Sequence, residues 1–330
     1  MTADGVHLGS IGLGWWGGVL ASATQKLNGV RVTGCFARNR ERRQEFASKH
    51  GCEPAGSLDA LLSSDIDGVL IATPHTTHAD LVVAAARAGK HVFVDKPLTL
   101  TTDEADRAIE AARKAGVVLQ VGHNRRRQPA NRRIKELIES DSLGQVLELG
   151  AVHDAPLLFN PALAEWRRRL DETPAGGMSA LGVHQIDTFH YLAGPIARVV
   201  ALSKRSLPQG EVDDVTSILL EFVSGAVGTL STSQATGPAV DVAVFGTDAI
   251  ARNTGDGARL TIQRRGTTDQ EDLEIAQIDT VADELDEFAR SIDGQATPET
   301  GGVEARAAVA VLEAIVASAA ERRWVDVDHG

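Results

Sequence analysis

Three glycines that directly follow a short apolar strand are the first residues of this chain whose spacing indicates chemistry. Gly12, Gly14 and Gly17 follow residues 6–11 in the pattern G-x-G-x-x-G, and the segment after them can form a helix. In such a turn the first glycine allows a tight bend, the second lets the backbone approach a pyrophosphate, and the third lets helix and strand pack closely. The free N–H groups of the helix then face the phosphates. The pattern predicts a dinucleotide-binding turn, with an ordinary strand–helix turn as the alternative.

Trp15 and Trp16 fill the two variable positions of this glycine turn. One of their rings could form a wall of a nicotinamide pocket, because an aromatic face suits a cyclic ligand rich in C–H groups. The alternative is that the two rings pack between two domains.

Lys96 follows the apolar run 91–94. We therefore expect it at the carboxyl end of a parallel strand, where open α/β sheets bind their ligands. Beside a cationic nicotinamide in a partly dry cleft, the charged form of a lysine is disfavoured. Lys96 could then shuttle a hydroxyl proton or hydrogen-bond a developing alkoxide. A surface lysine in a loop is the alternative.

His184 and Asp187 are three residues apart, so they share one face if their segment is helical. Histidine suits proton transfer because its ordinary pKa lies close to neutral pH. This pair is therefore a second candidate for acid–base chemistry, and a core histidine without a chemical role is the alternative.

The end of the second predicted strand bears on the choice between NAD and NADP. NAD sites usually carry an acidic residue there, about 20 residues beyond the glycines, for the ribose hydroxyls. In this chain Phe36 is followed by Ala37 and Arg38, and no acid is present. Arg38 could stack on adenine or hold a 2′-phosphate. We predict that NADP(H) is favoured over NAD(H); the alternative is a solvated Arg38 and NAD(H) held by its other contacts.

Alternating strands and helices predict the scaffold that positions these residues. The first third of the chain alternates short apolar strands with helices that glycines close, which is typical of a doubly wound parallel sheet. After Gly122 the strands become longer, and turns at residues 224–225 and 254–257 indicate hairpins in a largely antiparallel sheet. The length also favours two domains. We place a dinucleotide-binding domain at residues 1–122 and a substrate-binding and oligomerisation domain at residues 123–330.

Composition excludes several classes of partner. The net charge of −12 disfavours nucleic acid and anionic lipid surfaces. Residues 1–4 contain no basic n-region, so we expect no signal peptide, and we expect no membrane span. Cys35 and Cys52 are the only cysteines, which fits a reducing cytoplasm. No group of His, Cys and carboxylate residues has the spacing of a zinc site, so we expect no metal.

Five segments together resemble the Gfo/Idh/MocA oxidoreductases, a family that includes inositol dehydrogenases, glucose–fructose oxidoreductases and many sugar dehydrogenases. The resemblance covers nearly the whole chain, and it depends on the motifs occurring in the right order. It implies an N-terminal Rossmann domain and a C-terminal α/β domain with an open sheet. It also implies hydride transfer between a nicotinamide and a carbon that bears a hydroxyl or carbonyl group. The segments are residues 12–17, 72–78, 95–97, 122–126 and 176–187.

The resemblance also implies roles for individual residues. Lys96 and His184 would be catalytic, and the substrate would be a polyhydroxylated small molecule such as a sugar, cyclitol or related polyol. The family often forms dimers or tetramers through the free face of its second sheet, so we expect a homodimer or homotetramer. The implied substrate contacts are Asp187, Arg125, Trp166 and Arg167, and the implied cofactor contacts, beside the glycines and Arg38, are Trp15, Trp16, Thr73, Pro74, His78, Asp95 and Lys96.

Three of these assignments have alternatives or departures from the family pattern. Arg125 could belong to a solvated cap before the next helix, and the pair Trp166 and Arg167 to an interdomain salt bridge. The family has Asp four residues before the histidine, where this chain has Ala180. His184 then needs another orienting partner, either Asp187 or the substrate. The departure leaves open a non-catalytic nucleotide-binding regulator, and an aromatic cis-diol dehydrogenase is a further alternative.

Overall fold

The computed structural model describes residues 5–330, which form two compact units. The first contains residues 5–123 and 279–306, and the second contains residues 124–278 and 307–330. The expectation of no signal peptide rests on residues 1–4, which lie outside the described residues. Within residues 5–330 no helix is both long and apolar enough to cross a membrane.

The first unit contains a six-stranded parallel sheet in the order β3-β2-β1-β4-β5-β6. Its central strands are buried on both faces, as their continuous apolar sequences predict: Val69, Leu70 and Ile71 are all fully buried. The strands are β1 (Val6–Ile11), β2 (Val30–Phe36), β3 (Glu53–Pro54), β4 (Gly68–Ile71), β5 (His91–Asp95) and β6 (Leu119–Gly122). The helices between them are α1 (Trp15–Thr24), α2 (Arg40–His50), α3 (Leu58–Leu62), α4 (His78–Arg87) and α5 (Thr102–Ala115).

Local signals set the ends of these helices. The side chain of Asn39 accepts a hydrogen bond from the backbone N–H of Arg42 and caps α2, and Thr101 caps α5 in the same way. Gly51 and Gly116 end these two helices in the left-handed conformation, with φ of 70° and 66°. Because capping depends on near neighbours in sequence, both helices lie where the sequence predicts them.

The second unit contains a nine-stranded sheet in the order β14-β13-β12-β11-β7-β10-β9-β8-β15. All its neighbouring strands are antiparallel except β7 and β10, which are parallel. The fold class predicted from the sequence is thus confirmed. The helices that follow α5 are α6 (Pro129–Glu139), α7 (Val183–Ala193), α8 (Thr280–Ile292) and α9 (Gly302–Glu321). The strands are β7 (Val146–Asp154), β8 (Ile196–Lys204), β9 (Val215–Phe222), β10 (Val227–Ser233), β11 (Ala239–Gly246), β12 (Ala249–Thr254), β13 (Arg259–Arg264), β14 (Glu271–Leu273) and β15 (Val325–Asp326).

One face of this second sheet is covered and forms the core of the unit. On β9, Ile218, Leu220 and Phe222 are at most 3% exposed, as their alternation with polar residues predicts. On the opposite face of the same strand Leu219 is 52% exposed. The second unit therefore has one apolar face that its own helices do not cover.

Helix α8 packs with the first unit, although it follows the second sheet in sequence. Its apolar residues Leu285 and Phe288 are fully buried, and the ring of Phe288 lies 5.8 Å from that of Phe93 on β5. Gln120 on β6 donates a hydrogen bond to the carbonyl of Glu284 at 2.8 Å. The structural division therefore differs from a single boundary at residue 122, because these apolar side chains are buried against strands more than 150 residues earlier.

Candidate active site

The glycine turn has the backbone that its sequence predicts. Gly12 adopts φ of 92°, and a Cβ there would lie 2.3 Å from the carbonyl oxygen of Ala72. A Cβ on Gly17 would lie 2.1 Å from the carbonyl oxygen of Gly12, whereas nothing lies within 4 Å of the corresponding position on Gly14. Gly14 immediately precedes α1, so open space adjoins the free N–H groups of that helix. This arrangement fits a bound pyrophosphate.

The strands of the first sheet bring the other predicted cofactor residues to the same edge. Their carboxyl ends are in register, with Ile11 beside Ile71 and Ile71 beside Val94. The glycine turn, Thr73–Pro74 and Asp95–Lys96 therefore all begin at one edge of the sheet. Lys96 is 8% exposed and Asp95 is 6% exposed. The structure places Lys96 at the carboxyl end of β5, as predicted.

His78 is also close to this edge of the sheet, but it is buried in the interior. Its side chain is fully buried at the start of α4. Its Nδ1 lies 2.9 Å from the carbonyl oxygen of Pro97, and its Nε2 lies 3.0 Å from that of Thr73. Since both ring nitrogens contact backbone, His78 links the two turns, and a direct cofactor contact through either nitrogen does not fit this geometry.

The two tryptophans of the glycine turn differ in exposure. Trp15 is 79% exposed, whereas Trp16 packs against the apolar core of the first unit. Their ring centroids are 5.4 Å apart. Trp15 therefore presents a large apolar surface beside the N-terminus of α1.

The loop between β2 and α2 is braced by an arginine that the sequence analysis did not single out. Arg43 donates to the carbonyl oxygens of Ala37 at 2.6 Å and Arg38 at 3.3 Å. Arg38 is exposed at this loop. The brace holds in place the stretch where an acid for the ribose hydroxyls is missing.

In the second unit, Asp187 forms a buried ion pair with Arg126. The guanidinium Nε and Nη2 of Arg126 donate to the two carboxylate oxygens at 2.9 and 2.5 Å. The two side chains are 6% and 1% exposed. The charge of Asp187 is thus balanced by that of Arg126.

The ring stacked beside His184 belongs to His153 on β7. The two ring centroids are 5.8 Å apart with an angle of 30° between the planes. Nδ1 of His153 also lies 3.4 Å from Nε2 of Gln185. Ala180, where the family has Asp, is buried in a single π-helical turn (Met178–Gly182) that precedes α7. His153 is therefore an imidazole neighbour of His184 that the sequence analysis missed.

Arg125 contacts the hairpin turn between β12 and β13. Its guanidinium forms an ion pair with Asp256, which also accepts a 2.7 Å hydrogen bond from Gln128. Burial lowers the pKa of Arg125 to about 10. The predicted substrate contact at Arg125 would have to compete with this ion pair.

Trp166 and Arg167 form a cation–π pair within one short 3₁₀ helix. The guanidinium carbon of Arg167 lies 4.3 Å from the centre of the Trp166 ring.

Within residues 5–330, no three His, Cys, Asp or Glu side chains are grouped to hold a metal ion. Cys35 and Cys52 are buried free thiols.

Sequence comparison decides the family. Residues 6–123 match the model of the oxidoreductase family with an NAD-binding Rossmann fold, Gfo/Idh/MocA. Residues 131–252 match the Gfo/Idh/MocA C-terminal domain. The chain belongs to the Gfo/Idh/MocA family. It is accordingly an NAD(P)-dependent oxidoreductase, as its motifs predict.

Relatives of this Gfo/Idh/MocA protein match it along almost its whole length. Myo-inositol 2-dehydrogenase of Thermotoga maritima is 27% identical, with 98% of this chain and 99% of that protein covered. 1,5-Anhydro-D-fructose reductase of Ensifer adhaerens is also 27% identical, with 96% and 99% covered. The solved structure of levoglucosan dehydrogenase with NADH has a TM-score of 0.90, 99% and 100% coverage and 23% identity. At that identity the structural likeness shows the fold alone.

The structure brings some of the predicted site residues together and separates others. The cofactor candidates of the first unit cluster at one sheet edge, apart from the buried His78. In the second unit Arg126 contacts Asp187, and the ring of His153 stacks beside that of His184. A sequence signal for Arg126 existed in the run of three arginines, but the sequence could not show which arginine contacts Asp187.

Proposed function

We propose that this protein transfers a hydride between NADP(H) and a secondary alcohol or ketone carbon of a sugar, cyclitol or related polyol. The observation that carries the proposal is Lys96, which is almost buried at the sheet edge where the glycine turn also lies. A lysine held there can exchange a proton with a reacting oxygen. We also retain the expectation of a cytoplasmic location.

The cofactor would be held by residues of the first unit. Gly14 leaves open space for the pyrophosphate at the start of α1, and Gly12 and Gly17 allow the close backbone approaches of the turn. Thr73–Pro74 and Asp95 line the same edge. When bound, the nicotinamide supplies the hydride acceptor or donor. Trp15, with its exposed ring, would cover part of that pocket.

Lys96 and His184 would handle the proton of the substrate hydroxyl. His184 is 7% exposed, and its imidazole is stacked on that of His153. An imidazole at this position can accept or donate a proton near neutral pH. The Arg126–Asp187 ion pair would fix helix α7, and thereby the position of His184.

The substrate class is proposed from the relatives and from the side chains of the second unit. Two relatives that match nearly the full chain are named for myo-inositol and 1,5-anhydro-D-fructose, both of which are polyhydroxylated rings. The stacked Trp166 and Arg167 offer an aromatic face and N–H donors, which suit such a ring. Asp187 and Arg125 would contribute through their ion pairs or exchange them for substrate hydroxyls.

A substrate panel tests the proposal. Purified protein is incubated with NADP⁺ or NAD⁺ and a panel of cyclitols, aldoses, anhydrosugars and aromatic cis-diols, and the nicotinamide absorbance is followed in both directions. We expect turnover with at least one polyhydroxylated ring. Cofactor binding without turnover on any compound would instead support the regulator, and turnover confined to aromatic diols would support the diol dehydrogenase.

Cofactor preference gives the first mutational prediction. Wild-type protein is expected to bind NADPH more tightly than NADH, because Arg38 can pair with the 2′-phosphate. Arg38→Ala is expected to weaken NADPH binding by about 1–3 kcal/mol and to leave NADH binding nearly unchanged. Fluorescence titration of both cofactors measures this, with NADH as the internal control. Equal affinities in the wild type would contradict the prediction.

The uncovered face of the second sheet underlies our proposal that the protein is a homodimer or homotetramer. Leu202 and Leu219 on neighbouring strands are 64% and 52% exposed, and Val227 is 52% exposed. Leu219 pairs with Val200 on β8 and with Thr229 on β10. Leu202 and Val227 are each two residues away from those partners on the same strands, so they lie diagonally next to Leu219 and form one patch with it. A contiguous patch of this kind is typical of an interface between protein surfaces.

A charged substitution in this patch tests the assembly. Leu219→Asp is expected to shift the protein to monomer at micromolar concentration, because association would bury an unpaired carboxylate. Val303→Asp is the matched control, since Val303 is 74% exposed but belongs to the first unit. Multi-angle light scattering gives the mass of each variant. A monomeric wild-type protein would contradict the proposal.

A further inference from the structure

Arg43, in the first turn of α2, is fastened to the end of β2 and to the loop that follows it. Its Nη1 donates to the carbonyl oxygen of Ala37 at 2.6 Å and to that of Arg38 at 3.3 Å. Its guanidinium carbon lies 5.7 Å from the centre of the Phe36 ring. The carbonyl oxygen of Arg43 in turn accepts a hydrogen bond from the thiol of Cys35 at 3.7 Å. Both the side chain and the backbone of Arg43 therefore hold this one stretch of chain.

The stretch that Arg43 holds is the one where Rossmann domains distinguish NAD from NADP. An acidic residue for the ribose hydroxyls usually follows the second strand. In this chain that place is taken by Ala37, whose side chain has no hydrogen-bonding group. Recognition of the ribose end would then fall to Arg38, the candidate partner of a 2′-phosphate. The direction in which the Arg38 side chain leaves the loop depends on the backbone that Arg43 holds.

Arg43 differs from the other arginines around it. Of the four arginines in residues 38–43 it alone is partly buried, whereas Arg38, Arg40 and Arg42 are exposed. A cation near the N-terminus of a helix is unfavourable, and here two carbonyl oxygens and an aromatic face offset that cost. A guanidinium carries its N–H donors in a rigid plane, so it suits a fixed pair of carbonyl acceptors. These contacts give Arg43 a supporting place in the loop.

We propose that Arg43 is a positioning residue for the cofactor: it fixes the backbone of Ala37 and Arg38 and so directs Arg38 toward the 2′-phosphate of NADP(H). The inference rests on the cofactor preference proposed above, and it adds a residue that acts through Arg38. Without Arg43 the loop would lose the two hydrogen bonds that hold it, and Arg38 would be free to turn toward solvent.

Fluorescence titration of Arg43→Met with NADPH and NADH tests this role. Methionine keeps an unbranched side chain of similar length but donates no hydrogen bond. We expect the affinity for NADPH to fall about 5–50-fold, by no more than in Arg38→Ala, and the affinity for NADH to remain nearly unchanged. Lys49→Met is the matched control, because Lys49 is exposed in the last turn of the same helix. Circular dichroism shows that each variant is folded, and a general loss of structure would weaken both cofactors alike.

The double variant of Arg38→Ala and Arg43→Met separates positioning from direct binding. If Arg43 acts through Arg38, the double variant should bind NADPH no more weakly than Arg38→Ala alone, because no side chain remains to be positioned. Additive losses would overturn the proposal, since Arg43 would then act on the cofactor independently of Arg38. Wild-type affinity for NADPH in a folded Arg43→Met would overturn it as well, with the role of Arg38 still standing.

Failure of the cofactor preference itself has a different result. Equal affinities of the wild-type protein for NADPH and NADH would contradict the preference, and the coupling between the two variants, measured with either cofactor, would still decide the positioning role. If Arg38→Ala weakened neither cofactor, both the role of Arg38 and the positioning by Arg43 would be overturned.

Discussion

Lys96→Ala is expected to lower turnover by about 10²–10⁴-fold, the usual contribution of a positioned acid–base group. Lys96 lies at the carboxyl end of β5, almost buried, where a reacting hydroxyl would need a proton acceptor. Affinity for the cofactor should change little, because the phosphate contacts are proposed at the glycine turn and not at this amine. Steady-state kinetics on the substrate found by the panel, together with cofactor titration, separate the two effects.

Lys114→Ala is the control for this experiment. Lys114 lies on α5 in the same unit, with its side chain 70% exposed. Its removal should leave both turnover and cofactor affinity unchanged. If Lys96→Ala turned over substrate within a few-fold of the wild type while remaining folded, proton transfer would have to be assigned to another group, with His184 the first to examine.

The second large effect is expected from the buried ion pair between Arg126 and Asp187. Arg126→Ala should reduce the free energy of unfolding by about 3–5 kcal/mol, because the buried carboxylate of Asp187 loses the guanidinium that donates to both of its oxygens. The Asp187 side chain is only 1% exposed, so water cannot replace the lost partner. Urea denaturation followed by circular dichroism measures the loss.

Two further variants make this prediction specific. Arg133→Ala removes the arginine of an exposed ion pair with Glu136 and should cost only about 0–1 kcal/mol. Replacing both members of the buried pair, as Arg126→Met with Asp187→Leu, should recover much of the stability, since no unpaired charge remains. A loss in Arg126→Ala as small as that in Arg133→Ala would show that Asp187 is stabilised by other contacts.

The sequence predicted those parts of the molecule that depend on near neighbours. The glycine turn, the caps of α2 and α5 and the buried strands β4 and β5 are local patterns, and each lies where its residues indicate. Strand β12 has no clear signal in the sequence, because its covered face carries Ala249, Ala251 and Asn253, which give little hydrophobic alternation. Strand β3 has none either, because it is two residues long and exposed.

The partners of the candidate site residues could not be predicted in the same way. Arg126 and Asp187 are 61 residues apart, and the periodicity of neither segment shows that they meet. Arg125 and Arg126 are adjacent and of one type, yet one contacts Asp256 and the other Asp187. Tertiary packing determines which partner each of these side chains contacts. The catalytic and binding roles of these residues therefore stay predictions that the experiments above test.

Helix α8 has a consequence for the synthesis of this protein. Residues 279–306 complete the first unit, but the ribosome adds them only after it has made all of residues 124–278. Until then the nascent nucleotide-binding unit lacks the helix that buries Leu285 and Phe288, and the side of Phe93 that contacts Phe288 has no cover. Strands β7 to β14 of the second sheet are therefore made while the first unit is still unfinished. A fragment that stops at residue 123 would carry an exposed apolar surface prone to aggregation.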